Sequence, residues 1–243
     1  MNKIYIIFFI FISIFSNLSF ASSQESSLAT NYKFVNDINN KSSLQRGAKY
    51  FVNYCMGCHS LKYMRFSSLA KDIEVEEEIF FKNLVFTNKK IGETMTISMR
   101  PSDAELWFGA VPPDLSLVAR SKGTDWIYLY LNTFYEDDDT LSGFNNLAYP
   151  NTAMPHILAD LQGSQKLVLD SNNKPVSIQK VLDGEYSEIE YQQMTSDITN
   201  FLAYVSEPAK LKRHSMGFWV LMFIFIFTII AYYTKKEFWK EIK

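Results

Sequence analysis

Cys55-Met56-Gly57-Cys58-His59 is the stretch from which the rest of this chain is best read. The pattern is Cys-x-x-Cys-His, in which two thiols become thioether anchors for a porphyrin and the adjacent imidazole takes one axial position on the iron. These are the only two cysteines among 243 residues, so no disulfide framework competes for them. Cys-x-x-Cys alone also serves dithiol redox sites and zinc sites. Zinc would have to draw further ligands from His59, His156 and His214, which are far apart in sequence, and a thioredoxin-like site needs a βαβ context that is not visible. The motif therefore predicts one covalent haem c, attached through Cys55 and Cys58, with His59 on the iron.

Upstream of the motif, Leu44, Ala48, Phe51, Val52 and Cys55 recur at helical spacing from a start at Ser42 or Ser43. This helix would deliver the chain directly into the haem motif. Gly47 within it costs helix stability but permits close approach by another helix. The partner is expected near the far end of the domain, where Thr195 or Ser196 can cap a helix carrying Ile198, Phe201, Leu202 and Val205 on one face, with Pro208 beyond it. First and last helices crossing beside the haem would resemble a c-type cytochrome fold. Between them, residues 59–70 read as a loop entering a short helix, and Lys82 to Ile97 as irregular or strand-like. Pro101 to Gly109 reads as a helix capped at Ser102, Pro112-Pro113-Asp114 as an extended turn, and Asp125 to Phe134 as a further helix.

The two ends of the chain address it to a membrane. Lys3, an apolar run from Ile4 to Phe15 and the small-x-small site Ser19-Phe20-Ala21 predict a secretory signal peptide over residues 1–21. A second run, Ser215 to Tyr233, holds no charge, is flanked by Lys210, Lys212, Arg213, Lys235 and Lys236, and is long enough to cross a bilayer. The expected organisation is a translocated haem domain over 22–213, an anchor helix over 214–234 and a cytoplasmic tail over 235–243. Between Ser22 and Arg213 there are 19 Lys or Arg against 24 Asp or Glu, a net charge of minus five. Such a surface argues against nucleic acid and suits a basic protein partner steered in by charge, although a solvated acidic surface explains it equally. Glu74 to Glu78 and Glu136 to Asp139 are the acidic clusters that would steer it.

An electron carrier fills both axial positions of its iron. Met1 leaves with the signal, Met56 is held between the thioethers, Met64 is too near the motif, and Met216 and Met222 lie in the span, which leaves Met95, Met99, Met154 and Met194. Met154 is preferred because Pro150 and Pro155 restrict the backbone around it; His156 is its rival. A thioether opposite imidazole raises the reduction potential relative to two imidazoles. Partly buried propionates require donors, for which Arg120 and Trp126 are candidates.

Together these stretches resemble the cytochrome c1 family, the haem subunits of ubiquinol:cytochrome c oxidoreductases (bc1 complexes), in a bacterial form. The resemblance is carried by residues 53–65, by Val111-Pro112-Pro113-Asp114-Leu115-Ser116, by Ala119-Arg120 through Trp126, by Ala153-Met154-Pro155, and by Glu207-Pro208 leading into the C-terminal span. It implies a mainly α, class I-like cytochrome c domain with loop insertions and one C-terminal transmembrane helix. It also implies ligation by His59 and Met154, Arg120 as a propionate partner and Pro113 on the haem face. Trp126 stands where many relatives have Tyr, so its indole N–H would replace a phenol as donor. Residues 149–151 lack the glycines common there in relatives.

Function follows from the same resemblance. Single electrons would pass from a Rieske iron-sulfur protein to a c-type cytochrome, in a dimeric complex with cytochrome b and membrane lipid, from a haem domain facing the periplasm. Two other readings stay open: an anchored haem c subunit of a terminal oxidase or nitric oxide reductase, and an open-site haem c enzyme.

Overall fold

A computed structural model describes residues 33–86, 88–172 and 175–240; the expected signal peptide lies outside them. The helix entering the haem motif, α1 (Lys41–Tyr50), starts at Asn40, whose side-chain oxygen accepts the Ser43 amide at 3.1 Å. That satisfies a donor that a helix start leaves free, so the cap is Asn40 and not one of the serines. Leu44, Gly47 and Ala48 form the buried face of α1. From Phe51 to Cys55 the chain winds as one π-helical turn with Phe51 and Val52 buried. Such a turn offsets the face that follows it, and here the residue so placed is the first haem cysteine.

The crossing helix is longer than its periodicity implied. Numbering the short elements between the two in chain order makes it α8 (Glu188–Ser206), nineteen residues capped at Ser187. The Ser187 hydroxyl meets the Glu190 amide while the Glu190 carboxylate accepts the Ser187 amide at 2.9 Å. The expected cap at Thr195 or Ser196 is therefore wrong: Thr195 sits fully buried inside α8, its hydroxyl bonded to the Tyr191 carbonyl at 3.1 Å. Gly47 lies against α8 as its missing side chain implied. A Cβ there would fall 2.6 Å from the Cβ of Phe201, and closer still to the Asp197 carbonyl oxygen. Phe51 and Phe201 pack beside it with ring centroids 5.5 Å apart. Across the same junction the Asp197 carboxylate, 1% exposed, accepts Arg46 Nε at 2.6 Å, Arg46 Nη2 at 2.9 Å and Ser43 Oγ at 2.7 Å.

Between α1 and α8 the chain makes short elements around this pair. A strand, β1 (Leu61–Arg65), replaces part of the expected loop and pairs antiparallel with β2 (Thr94–Met95). Next come α2 (Phe66–Asp72) and α3 (Glu77–Leu84), so the stretch from Lys82 opens helical and turns irregular only after Leu84. The α4 helix (Pro101–Phe108) ends on Gly109 at φ 70°, as expected, but begins at Arg100 without a side-chain cap from Ser102. The extended Pro-Pro-Asp segment leads into α5 (Val118–Ser121) and α6 (Thr124–Asn132), then β3 (Phe134–Glu136), paired with β4 (Phe144–Asn146).

After α7 (Ala159–Gln162), β5 (Gly163–Leu169) and β6 (Pro175–Asp183) form an antiparallel hairpin that the sequence reading did not anticipate. Leu167 pairs with Ile178 in it. Buried side chains of α1, β1, α2, α6 and α8 merge into one core with Leu61, Met95 and Leu158. Finally α9 (Ala209–Phe238) carries an apolar span, Met216–Phe238, none of it buried inside the protein. The helix continues past the expected end of the anchor because Thr234-Lys235-Lys236-Glu237-Phe238 contains no helix breaker.

Candidate haem site

The π-turn places Cys55 at the edge of the core, and a tight turn follows in which the amides of Cys58 and His59 both reach the Cys55 carbonyl, at 3.1 and 2.9 Å. Both cysteines are partly exposed and neither is in a disulfide. Burial of the sulfur among apolar neighbours, with the Cys58 charge as a smaller contribution, pushes the Cys55 thiol up to about 12. Burial raises Cys58 as well. Redox-active dithiols show the opposite shift. Among the described residues no cluster of three or more His, Cys, Asp or Glu is arranged to hold a metal ion.

His59 is buried, and its Nδ1 lies 2.7 Å from the Pro113 carbonyl oxygen. A carbonyl only accepts, so Nδ1 carries the proton and the Nε2 lone pair is left for iron. Pro113 can hold that carbonyl still because its extended segment is tied to the residues after the motif. Leu115 donates to the Ser60 carbonyl at 2.9 Å, Lys62 to Asp114 Oδ2 at 2.9 Å and Tyr63 to Ser116 Oγ at 3.2 Å. Burial lowers the His59 pKa, and the Pro113 carbonyl and the Asp114 charge only partly oppose it. The ring is therefore neutral, the form that ligates.

The four methionines left open by the sequence separate in the structure. Met95 is fully buried and Met194 is 1% exposed, both in the core. Met99 lines a shallow cleft with Val111, Pro112 and Asp114. Met154 is half-buried on an irregular loop between β4 and α7. That loop is rigid for reasons other than glycine. Asn151 adopts the left-handed conformation at φ 59°, which Asn tolerates. The Asn145 side chain accepts the amides of Asn146 and Asn151, each at 2.8 Å, and Thr152 Oγ1 meets the Tyr130 hydroxyl at 2.8 Å.

Tyr130 belongs to a stripe along α6 that was readable as i, i+4 spacing but went unused. Lys122 Nζ lies 5.4 Å over the Trp126 ring, Trp126 stacks on Tyr130 with centroids 5.1 Å apart, and Tyr130 meets Phe134 edge-on at 5.1 Å. Phe134 in turn stacks flat on His156, centroids 4.5 Å apart and planes 5° apart. His156 is buried, and burial lowers its pKa to about 4, the Gln162 amide opposing this only in part. Pro113 is exposed. Arg120 is exposed at the end of α5, where its charge helps hold the Glu207 carboxyl low, behind the larger effects of the hydrogen bond and charge from Arg213. The Ala119 amide donates to Ser206 Oγ at 3.2 Å, which ties this segment to the end of α8.

Crossed terminal helices that hold Cys-x-x-Cys-His at their junction, tethered by one apolar helix, define the class of membrane-anchored c-type cytochromes. The sequence matches the model of the Cytochrome C1 family over residues 31–242. It is 47% identical over 212 residues to cytochrome c1 of Allochromatium vinosum, covering 85% of this chain and 87% of that protein. Identity is 43% over 202 residues to a protein of Nitrosomonas europaea called ammonia monooxygenase gamma subunit, covering 83% of this chain and 84% of that one. Cytochrome c1 of Cereibacter sphaeroides is 24% identical over 239 residues, covering 82% and 81%. The chain belongs to the cytochrome c1 family. It is an electron-transfer subunit of ubiquinol:cytochrome c reductase, carries covalent haem c, is anchored in a membrane and is not an enzyme on its own.

Proposed function

We propose that this subunit links its haem through Cys55 and Cys58, ligates the iron with His59 and Met154, and relays single electrons from a Rieske iron-sulfur protein to a c-type cytochrome. The observation that carries the assignment is the 2.7 Å contact of His59 Nδ1 with Pro113. It leaves one nitrogen, of fixed tautomer and direction, for a metal. The donor set also fits: two neutral thiols in the order and spacing of covalent attachment, and a thioether on a loop braced by Asn145 and Tyr130. Bound there, haem c supplies a one-electron iron couple. The chain's own residues fix the His59 ring through the Pro113 carbonyl and, by burying it, keep it unprotonated. Pro113 is assigned to the haem face, and Arg120 and Trp126 to the exposed edge as propionate donors.

The organisation proposed is a cleaved leader over 1–21, a periplasmic domain over 22–213, an anchor over 214–234 in the inner membrane and a cytoplasmic tail over 235–243. Partners are cytochrome b and the Rieske protein in a complex that is dimeric as a whole and embedded in lipid. Purification in detergent tests this reading. Cytochrome b and a Rieske protein should co-isolate, and the haem should survive acid-acetone extraction of this subunit. Co-isolation with oxidase or monooxygenase subunits instead would overturn the partner assignment, and haem lost to acid-acetone would overturn Cys55 and Cys58 as anchors. Steering of a basic acceptor by residues 74–78 and 136–139 requires the rate to fall as salt rises. A rate that climbs with salt would remove that role.

A further inference from the structure

Among the described residues, two buried side-chain polar atoms lack a hydrogen-bond partner: His156 Nε2 and Gln162 Oε1. They are a matched pair, since an Nε2–H donates and an amide oxygen accepts, and the Gln162 amide is the polar neighbour of the ring. Buried polar groups are rarely left open, so two complementary orphans side by side point to one bond that a small rotation closes. Gln162 already gives its Nε2 to the Asn132 carbonyl at 3.1 Å. Asn132 Nδ2 reaches Thr195 Oγ1 at 3.0 Å, inside α8. The ring itself is held by Phe134 flat on one face and by Phe144 edge-on, centroids 5.3 Å apart.

We propose that His156 is a positioning residue for the sixth iron ligand: with its ring on Phe134 and Nε2–H given to Gln162 Oε1, it ties the Met154 loop through Asn132 to α8. Thr152, two residues before Met154, is held by Tyr130; His156 is the matching tie two residues after. A thioether is a weak ligand, and it stays on iron only where the chain on both sides leaves it nowhere else to go. The inference rests on Met154 being that ligand, and the test separates the two.

The full chain in its purified complex would carry His156→Phe, which keeps a stacked ring without a donor, His156→Gln, which keeps a donor without a ring, Gln162→Leu or Met154→Leu. Covalent haem content serves as the control for folding. His156→Phe and Gln162→Leu are expected to weaken the sulfur-to-iron charge-transfer band of the ferric protein and lower the haem potential. Carbon monoxide binding by the ferrous protein should strengthen about tenfold, equivalent to about 1.4 kcal/mol. His156→Gln should recover part of the band. Wild-type band, potential and carbon monoxide response in both His156→Phe and Gln162→Leu, with the band lost in Met154→Leu, would overturn the positioning role alone. A band that survives Met154→Leu would overturn the ligand assignment and the proposal with it. If His156→Phe accumulates no haem, Gln162→Leu decides by the same readouts.

Discussion

Gly47→Ala is expected to destabilise the haem domain by about 3 kcal/mol, the balance of a helix gain against overpacking and a strained ion pair. In an exposed helix the change would be favourable by about 1 kcal/mol, because glycine is the poorer helix former. Here the new Cβ would sit 2.6 Å from Phe201 Cβ and against the backbone carbonyl of Asp197. Neither is the free end of a flexible side chain, so α1 and α8 must move apart. Overpacking of that kind costs about 1–3 kcal/mol. The same movement pulls Arg46 and Ser43, on the helix of Gly47, away from the buried Asp197 carboxylate that they hold at 2.6–2.9 Å. Weakening a hydrogen bond to a charged group adds about 1.5–3 kcal/mol. For a domain of this size the melting midpoint should fall by about 6–12 °C. Thermal unfolding of the haem-loaded chain by circular dichroism, normalised to covalent haem, measures it. A midpoint at or above wild type would refute the close crossing of α1 on α8.

The remaining predictions probe the same frame and the Met154 loop. Arg46→Ala leaves Asp197 buried with neutral donors; because Arg46 is itself half exposed, the loss should be about 2–3 kcal/mol, short of the 3–5 kcal/mol of a fully buried pair, and Asp197→Asn in the same background should restore part of it in a denaturant titration. Ser187→Ala removes the α8 cap and should cost about 1 kcal/mol by the same titration. The Ser187 hydroxyl and amide hold the Glu190 pKa below its usual value of 4.5, so the folded state favours the carboxylate: the contribution is present above that pH and is lost as pH falls through the folded pKa. The protection factors of the amides at the start of α8, which correct exchange for its intrinsic pH dependence, should accordingly fall in acid for wild type and stay constant in this range for Glu190→Gln. Asn151→Gly should be tolerated at φ 59°, whereas Asn151→Val should destabilise by about 1–2 kcal/mol and weaken the sulfur-to-iron band.

The comparison of reading and structure is clearest at single residues. Cys55, Cys58 and His59 were legible because covalent attachment demands that order of atoms along the chain, whatever the fold around it. Gly47 was legible because a missing side chain in an apolar helix face has few other uses. The apolar run after Ser215 was legible because a bilayer asks for length and composition only. Misplacing the α8 cap was avoidable, since Ser187 and Glu190 have the capping-box spacing; the hydrophobic period of Ile198 to Val205 drew attention too far down the helix. The β5–β6 hairpin has only a weak local signature, Leu167 to Leu169 and Val176 to Ile178 flanking the turn-forming residues Asp170, Ser171 and Asn172, with no strict alternation to mark the strands.

What no reading along the chain could supply is contact between distant residues. Pro113 meeting His59 depends on Asp114 and Ser116 bonding to residues 62 and 63, more than fifty positions earlier. That Met95 and Met194 are enclosed by the core is likewise visible only in the structure. His156 reads in sequence as a rival ligand, a polar loop residue or a support for the site; its burial between Phe134 and Phe144, beside Gln162, is visible only in the packing. Covalent and bilayer requirements are written locally, in residue order and run length, and so survive without a fold. Tautomer, burial and pKa depend on which surfaces meet, and those are settled only when α1 closes on α8.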